Sequence, residues 1–179
     1  DQSTILSALE ALTSKRPGPS WVDLCIDVNS KLVGNIPSTD MHFCSHISND
    51  SCSVPSDLPS ETAKYKKPLI IIGEGVANSK LILNYISNLR FPVASTWRSS
   101  YLCASFQMHI GSIGLFGSRA ANYLIQQSDC LIVLGSSLNV THTGYDTKNF
   151  GINADIYHFD IDPGELRKGN YHSQHFGFI

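Results

Sequence analysis

Glycine residues recur where apolar runs of the sequence end, and this pattern could bring a phosphate group close to the backbone. The first instance is Gly73-Glu74-Gly75, directly after the apolar run 68–72. In a parallel α/β sheet, glycines at such a place let a phosphate approach the backbone and the amino end of the next helix. The dinucleotide fingerprint G-x-G-x-x-G is incomplete, because Asn78 occupies the third glycine position. The pattern therefore indicates either contact with a nucleotide or a tight turn that binds nothing.

A second glycine-rich segment, residues 114–122, leads into another predicted helix. Gly117 or Ser118 is placed to cap that helix. Arg119 would then lie in the first turn, where the helix dipole disfavours a positive charge. Either Arg119 meets an anion or a buried carboxylate, or it pairs with Asp129 or faces solvent.

Polar residues also follow two later apolar runs. Gly135 ends one run and opens a hydroxyl-rich loop, residues 136–145, at the carboxyl edge of the sheet, where such folds bind ligands. Asp160 closes the next run and could accept a hydrogen bond from a ribose or adenine group. We expect Asp162, which precedes Pro163, to cap the following helix.

Motifs for metal binding and catalysis are weak or absent in the sequence. The only candidate metal ligands in the sequence are His42, Cys44, His46 and Cys52. Their alternating spacing differs from the paired spacing of structural zinc sites. The sequence contains no P-loop, no HExxH motif and no nucleophile elbow. From the residues alone we expect a ligand-binding or scaffolding domain rather than a complete enzyme.

The spacing of apolar residues predicts the elements that would position these groups. Buried strands are predicted at 68–73 and 130–135, further strands at 91–96 and 155–160, and helices at 78–89 and 118–127. Strands that alternate with helices of this length indicate an open parallel sheet with helices on both faces.

The N-terminal part of the sequence has a different organisation. A helix is predicted at 3–15 and a strand at 21–28, which is too little to form a core. Serine, proline and other polar residues then dominate without an apolar period, which is typical of a linker. We therefore expect an N-terminal tail at 1–28, a linker at 29–60 and a Rossmann-like α/β domain at 61–179.

Composition argues against several classes of function. A net charge of −2 disfavours non-specific nucleic-acid binding, and no apolar run approaches the roughly 18 residues of a membrane span. Five cysteines without a CxxC pair favour free thiols in a reducing compartment, so we expect a cytoplasmic location. Charged residues make up only 16% of the chain, as in a domain covered on one face by another domain or in a protein that simply carries few charges.

Several segments together resemble the central domain of acetolactate-synthase-like thiamine-diphosphate enzymes. The resemblance is carried by GLFGSRAANYLIQ at 114–126 and SDCLIVLG at 128–135, and continues in order at 143–145, 149–150 and 158–166. Upstream, RPGPSWVD at 16–23 resembles the last strand of the family's pyrimidine-binding domain, and KPLIIIG at 67–73 resembles the start of the central domain.

This resemblance implies a DHS-like Rossmann domain in a homo-oligomeric parent. In such enzymes the cofactor lies between a pyrimidine-binding domain and a diphosphate-binding domain, which usually come from two subunits. It implies a parent enzyme that uses thiamine diphosphate and Mg²⁺ as a carboligase or decarboxylase of 2-oxo acids. In such enzymes a glutamate of the first domain activates the cofactor, and a GDG…N motif of the second holds Mg²⁺ and the diphosphate. This sequence contains no GDG, so we expect the chain alone to be non-catalytic.

Acetolactate synthases also hold FAD in the central domain, in a structural role. The positions implied for cofactor contact here are Gly73, Gly75, Thr96, Gly117, Arg119, Gly135 and Asp160. The FAD-binding forms resemble GARFDDRVTG after the fourth strand, whereas this chain reads GSSLNVTHTG, with Ser137 and Thr141 in place of two arginines. Each lost charged donor to a pyrophosphate costs about 1.5 to 3 kcal/mol. The site is therefore expected to hold FAD, to hold a smaller nucleotide such as ADP, or to be empty.

Two roles outside catalysis are also compatible with the sequence. One is a free-standing module that binds FAD or ADP. The other is a structural spacer that holds two cofactor-binding domains in register. This role is compatible with a parent protein that is an enzyme.

Overall fold

The computed structural model describes residues 2–13, 16, 18–32, 34, 62–169, 171 and 174–177. The chain separates into two compact units, residues 1–50 and 51–179. Most of the predicted linker lies outside the described residues, as do His42, Cys44, His46 and Cys52. The boundaries predicted at residues 28 and 60 stay predictions.

The first unit begins with helix α1 (Gln2–Thr13), which confirms the helix predicted at 3–15. None of the helices in the described part of the chain is long and apolar enough to cross a membrane.

The strand predicted at 21–28 is wrong. Residues 18–25 have no regular secondary structure and are followed by a short helix, α2 (Ile26–Asn29). Trp21 is 88% exposed and Ile26 is 84% exposed. Alternating apolar residues form a stable strand only beside other strands and against a core, and the described residues of this unit contain no strand to pair with them.

The second unit contains a six-stranded sheet in its described residues. The strands are β1 (Pro68–Ile72), β2 (Val93–Ser95), β3 (His109–Ser112), β4 (Cys130–Leu134), β5 (Asp155–Phe159) and β6 (Gln174–Gly177). All neighbouring pairs are parallel, in the order β3-β2-β1-β4-β5-β6. This is the strand order of Rossmann-type folds, and it confirms the predicted parallel α/β architecture.

The two edge strands, β3 and β6, are absent from the sequence-based prediction. The residues of β3 are only partly buried, and β6 has the sequence QHFG. An edge strand has a neighbour on one side only, so it lacks the continuous apolar run that identifies the central strands.

The helices predicted at 78–89 and 118–127 are confirmed, and a short helix that was not predicted lies in the loop after β4. The longer ones are α3 (Lys80–Asn88) and α4 (Arg119–Gln127), and the short ones are α5 (Val140–Thr143) and α6 (Pro163–Leu166). Ser79 Oγ accepts a hydrogen bond from Ile82 N at 3.4 Å, and Ser118 Oγ accepts one from Ala121 N at 3.1 Å. Both serines thereby satisfy an amide that the first helical turn leaves unpaired.

The core consists of two apolar layers, one on each face of the sheet. Successive residues of β1 alternate between them: Ile70 and Ile72 pack in the layer of α3, and Leu69 and Ile71 pack in the layer of α4. Because both faces are covered, the central strands are apolar at every position, which explains the uninterrupted runs in the sequence.

The segment before β1 is tied to the amino edge of the sheet. Both oxygens of Asp129, next to β4, accept backbone hydrogen bonds from Lys66 N and Lys67 N, each 2.8 Å long. Tyr65 donates its hydroxyl proton to Asp155 Oδ2, at the start of β5, over 2.5 Å. Burial and this hydrogen bond raise the pKa of Tyr65. These contacts join the amino ends of three neighbouring strands.

We expect Asp129→Ala to lower the free energy of unfolding by about 1 to 3 kcal/mol, because two amides lose a charged acceptor. Urea denaturation followed by circular dichroism measures the change. Asp146→Ala is the matched control, since Asp146 accepts only local hydrogen bonds from Lys148 N and Asn149 Nδ2 and should cost about 1 kcal/mol or less. Equal losses in the two variants would contradict a long-range role for Asp129.

Candidate functional site

The carboxyl ends of β1 and β4 form the point at which the order of the strands reverses. In open α/β sheets the loops that leave such a pair diverge and create the crevice in which ligands bind. The loops here carry Gly73 and Gly75 after β1 and Gly135 after β4. The structure therefore brings together three of the glycines predicted as cofactor-binding residues.

These three glycines are in direct backbone contact. A Cβ atom on Gly73 would lie 2.1 Å from Gly135 O, and one on Gly75 would lie 2.9 Å from Gly135 Cα. Gly135 has a φ of +60°, and a Cβ there would lie 2.8 Å from Val76 N. Glycine is required at these positions because the two loops touch each other.

The amides of the predicted glycines donate within the chain. Gly73 N donates to Leu134 O at 2.8 Å, Gly75 N to Gly135 O at 2.9 Å, Gly135 N to Phe159 O at 2.8 Å, and Gly117 N to Gly114 O at 3.0 Å. A pyrophosphate at a glycine-rich turn is held by free amide donors. In this conformation these four amides are engaged, so the geometry favours the tight turn over phosphate contact.

Glu74 lies between the first two glycines and adds a negative charge to the turn. Its Oε1 accepts a hydrogen bond from Tyr101 OH at 3.0 Å, and its Oε2 is buried without a partner. The hydrogen bond to Glu74 raises the pKa of Tyr101. A carboxylate at this place repels a phosphate, so it opposes the binding of FAD or ADP through this turn.

Thr96, predicted to contact a cofactor, is buried beyond the end of β2. Its hydroxyl lies 2.8 Å from Ser99 Oγ, and Ser99 Oγ donates to Ile72 O at 2.6 Å. The two hydroxyls join the carboxyl ends of β1 and β2. Ser99 is a residue that sequence reasoning missed, because an isolated serine in a loop carries no distinguishing pattern.

Arg119 begins α4 and is exposed. Within the described residues no ion pair of Arg119 is observed, and the carboxylate of Asp129 binds Lys66 N and Lys67 N instead. Arg119 therefore faces solvent and shows no pair with Asp129 among the described residues, and its predicted contact with an anion stays a prediction. The expected cap of α4 is confirmed, with Ser118 in that position.

The loop after β3 contacts the loop after β4. Leu115 N donates to Thr141 O at 2.8 Å, and a Cβ on Gly114 would lie 2.3 Å from the same oxygen. Thr141 Oγ1 donates to Asn139 Oδ1 at 2.5 Å. Ser137 and Thr141 stand at the two positions where the sequence of the FAD-binding forms has arginine. Both residues have a hydroxyl group there, and the hydroxyl of Thr141 is already bonded to Asn139.

Asp160 lies at the end of β5 and is 7% exposed. Its Oδ1 accepts a hydrogen bond from Asp162 N at 3.0 Å. Asp162 Oδ1 in turn accepts from Gly164 N at 2.7 Å, which confirms the predicted cap of α6. Asp160 therefore shapes the turn that precedes α6, and its predicted role toward a nucleotide stays a prediction.

His158, on β5, is a buried polar residue that sequence reasoning did not identify. It is 1% exposed, and its Nε2 lies 2.7 Å from Ser136 O. A carbonyl oxygen only accepts, so Nε2 carries the proton and donates it. Burial lowers the pKa of His158, and the neutral ring therefore fastens the loop after β4 to β5.

No group of His, Cys, Asp and Glu side chains that could hold a metal ion occurs among the residues that the structure describes. Together, the predicted site residues form close-packed turns whose polar groups largely satisfy one another. The carboxyl edge is a junction of loops that contact one another through backbone atoms.

We expect Gly135→Ala to lower the free energy of unfolding by about 3 kcal/mol or more, because the new methyl group meets backbone atoms in addition to the cost of a positive φ. Gly144→Ala is the matched control: Gly144 has a φ of +79° but no atom within 4 Å of the added Cβ. That variant should lose about 1 to 3 kcal/mol, the cost of its backbone conformation alone, and less than Gly135→Ala, which also meets backbone atoms. Thermal and urea unfolding measure both, and equal losses would contradict the close packing at Gly135.

The lowered pKa of His158 predicts a pH dependence of stability. The unfolded chain takes up a proton near its ordinary pKa of about 6.5, at which the buried ring is still neutral. Stability is thus retained above that pH and falls as the pH drops below it. Between about pH 7.5 and about pH 5.5, the free energy of unfolding measured in urea should fall more steeply for the wild-type chain than for His158→Gln. Parallel curves for the two proteins would contradict this prediction.

Comparison with known proteins gives the family. Residues 62–176 match the family described as thiamine pyrophosphate enzyme, central domain. This range is more than half of the chain and contains strands β1 to β5 and all but the last residue of β6.

Relatives are found among acetolactate synthases. The chain is 32% identical to a probable acetolactate synthase large subunit of Methanococcus aeolicus, over 90% of this chain and 28% of that protein. It is 29% identical to the acetolactate synthase isozyme 1 large subunit of Escherichia coli, over 90% of this chain and 29% of that protein. It is 32% identical to the chloroplastic acetolactate synthase of Arabidopsis thaliana, over 87% of this chain and 24% of that protein.

The chain thus spans under a third of the length of these curated relatives. The match confirms the resemblance seen in the ordered sequence motifs, and the sheet order agrees with it. The chain belongs to the thiamine pyrophosphate enzymes, of which it contains the central domain.

Proposed function

We propose that this chain is the central domain of a longer thiamine-diphosphate-dependent enzyme, a carboligase or decarboxylase of a 2-oxo acid that resembles acetolactate synthase. The family match across residues 62–176 is the observation that carries this proposal. When bound to the parent, thiamine diphosphate would supply the electron sink for the chemistry. This domain would hold the two cofactor-binding domains in register.

We expect thiamine diphosphate and Mg²⁺ to be bound by other domains of the parent rather than by this chain. The sequence lacks the GDG motif, and the described residues contain no cluster suited to a metal ion. The catalytic groups would therefore lie in the flanking domains. The parent would be a cytoplasmic homo-oligomer, in which a second subunit completes each site.

The alternative, a free-standing module for FAD or ADP, has less support. The amides of Gly73, Gly75 and Gly135 are engaged within the chain, and the carboxylate of Glu74 adds a negative charge, so both features oppose a phosphate at this turn. The loop after β4 carries Ser137 and Thr141 and adds no cation at those positions. A scaffolding role requires only that the loops be rigid, which their mutual packing provides.

Large apolar side chains are exposed on the carboxyl-edge loops. Leu115 is 77% exposed, Phe116 is 76% exposed and Tyr145 is 99% exposed. Grouped exposed apolar residues mark surfaces that contact other protein parts. These loops support the proposal that the carboxyl edge faces a flanking domain or a second subunit of the parent.

The complete coding sequence tests the enzymatic part of the proposal. It should encode an upstream domain that carries the activating glutamate and a downstream domain with GDG, and the purified product should consume pyruvate or another 2-oxo acid only when thiamine diphosphate and Mg²⁺ are added. Absence of both motifs, or turnover without thiamine diphosphate, would overturn it.

The scaffolding part is tested in the same full-length protein with Leu115→Asp and Phe116→Asp. Either substitution should weaken assembly and reduce activity about tenfold or more, because a charge is then buried in a contact. Leu81→Asp is the matched control, since Leu81 is 75% exposed on α3, and it should leave activity and assembly unchanged. Equal effects at the two places, or no effect at Leu115 and Phe116, would contradict the scaffold.

A further inference from the structure

A second concave region lies at the amino edge of the sheet, at the opposite ends of the strands from the glycine turns. It is a cavity of about 490 Å³ between the segment before β1, the loop from α3 to β2, and the carboxyl end of α4. Its volume is in the range of small-molecule sites, roughly 300 to 1,000 Å³. The five residues of β1 separate it from the carboxyl edge by about 16 Å.

The walls of this cavity are mainly apolar. Pro68 and Leu69 of β1, Phe91 and Pro92 before β2, and Leu124 of α4 line it. Phe91 and Pro92 are only partly buried, so part of this apolar surface stays open to solvent. An apolar group that entered the cavity would cover it and remove it from water.

Three cationic residues, Lys66, Lys67 and Arg90, belong to the same lining. No salt bridge from them to a carboxylate is observed among the described residues. Asp129 is an acidic residue close to this segment, and both of its oxygens are taken by the backbone amides of Lys66 and Lys67. The lining of the cavity thus combines an apolar wall with three cations and, among its described residues, includes no carboxylate.

We propose that this cavity binds a small organic anion: a carboxylate, sulfonate or phosphate group attached to an aromatic or branched apolar body. The apolar body packs against Phe91, Pro92 and Leu124, and the anionic group faces Arg90 and the two lysines. Sites of this kind join a mostly apolar lining to a few charged groups that fix orientation. The inference is independent of any nucleotide at the carboxyl edge and of the activity of the parent enzyme.

The test is a titration of the ¹⁵N-labelled 179-residue chain with naphthalene-1-sulfonate, followed by two-dimensional NMR. The expected dissociation constant is about 1 mM or lower, from a ligand efficiency of about 0.3 kcal/mol per atom. The amide signals of Leu69, Phe91 and Leu124 should shift, and those of Leu115 and Phe116 should not. Shifts confined to Leu115 and Phe116, or no shifts at about 5 mM probe, would overturn the proposal.

Charge is tested with 1-naphthol, which has the same ring system without the anion, and with Arg90→Ala. Both changes should weaken binding about three- to tenfold, the range for a partly exposed charge contact. Arg98→Ala is the matched control, since Arg98 is an exposed cation beyond the carboxyl end of β2, and it should bind as the wild type does. Equal binding of the two probes to the wild-type chain would overturn the anion requirement.

A second variant keeps the proposal testable if Arg90→Ala changes the fold. Ala63 lines the cavity and is exposed, so Ala63→Trp adds volume at its mouth without removing a charge. The spectrum of this variant should otherwise resemble that of the wild type, with binding of naphthalene-1-sulfonate reduced at least threefold, a modest steric loss. Unchanged affinity in both Ala63→Trp and Lys66→Ala would place the probe outside the cavity and overturn the proposal.

Discussion

The close approach of two loops at the carboxyl ends of β1 and β4 is the constraint on which the rest of the α/β unit depends. Gly73 and Gly75 touch Gly135 through backbone atoms, with no room for a side chain on any of the three. Their amides continue the hydrogen bonding of the sheet, from Gly73 to Leu134 and from Gly135 to Phe159. This packing holds the loops after three adjacent strands in one fixed arrangement.

The same packing favours a structural role for a glycine motif that resembles those of nucleotide-binding sites. In a Rossmann-type sheet the diverging loops leave a crevice for a ligand, whereas in this chain the glycines let the loops close on each other. Glu74 adds negative charge, and Ser137 and Thr141 add no positive charge in return. A close-packed junction that carries a carboxylate and lacks cations at these two positions favours contact between loops over contact with a phosphate.

The central part of the fold could be predicted from the sequence because β1 and β4 are buried on both faces, which produces uninterrupted apolar runs. The caps Ser118 and Asp162 could also be predicted, since capping depends on local sequence. The edge strands β3 and β6 could not, because half-covered strands lack such runs. The segment 21–28 was predicted as a strand from alternation alone, and without a partner strand in its described surroundings alternation was not enough.

Most of the candidate site could be located from the sequence but not interpreted from it. Glycine at 73, 75 and 135 would suit a contact with a phosphate and a contact between loops equally well. The short distances from Gly73 and Gly75 to Gly135 favour the contact between loops. Ser99 and His158 were missed because their partners, the carbonyl groups of Ile72 and Ser136, lie 27 and 22 residues away in the sequence. Side chains that bind distant backbone carbonyls leave no local pattern.

Hydrogen exchange at single amides tests the central claim most directly. The amides of Gly73, Gly75 and Gly135 should exchange as slowly as those of Ile71 and Val133 in the central strands, because all of them donate within the sheet or its loops. Adding FAD or ADP at about 1 mM should leave these rates unchanged. Fast exchange of the three glycine amides in the free chain, slowed by either nucleotide, would show an open phosphate-binding turn and contradict the account.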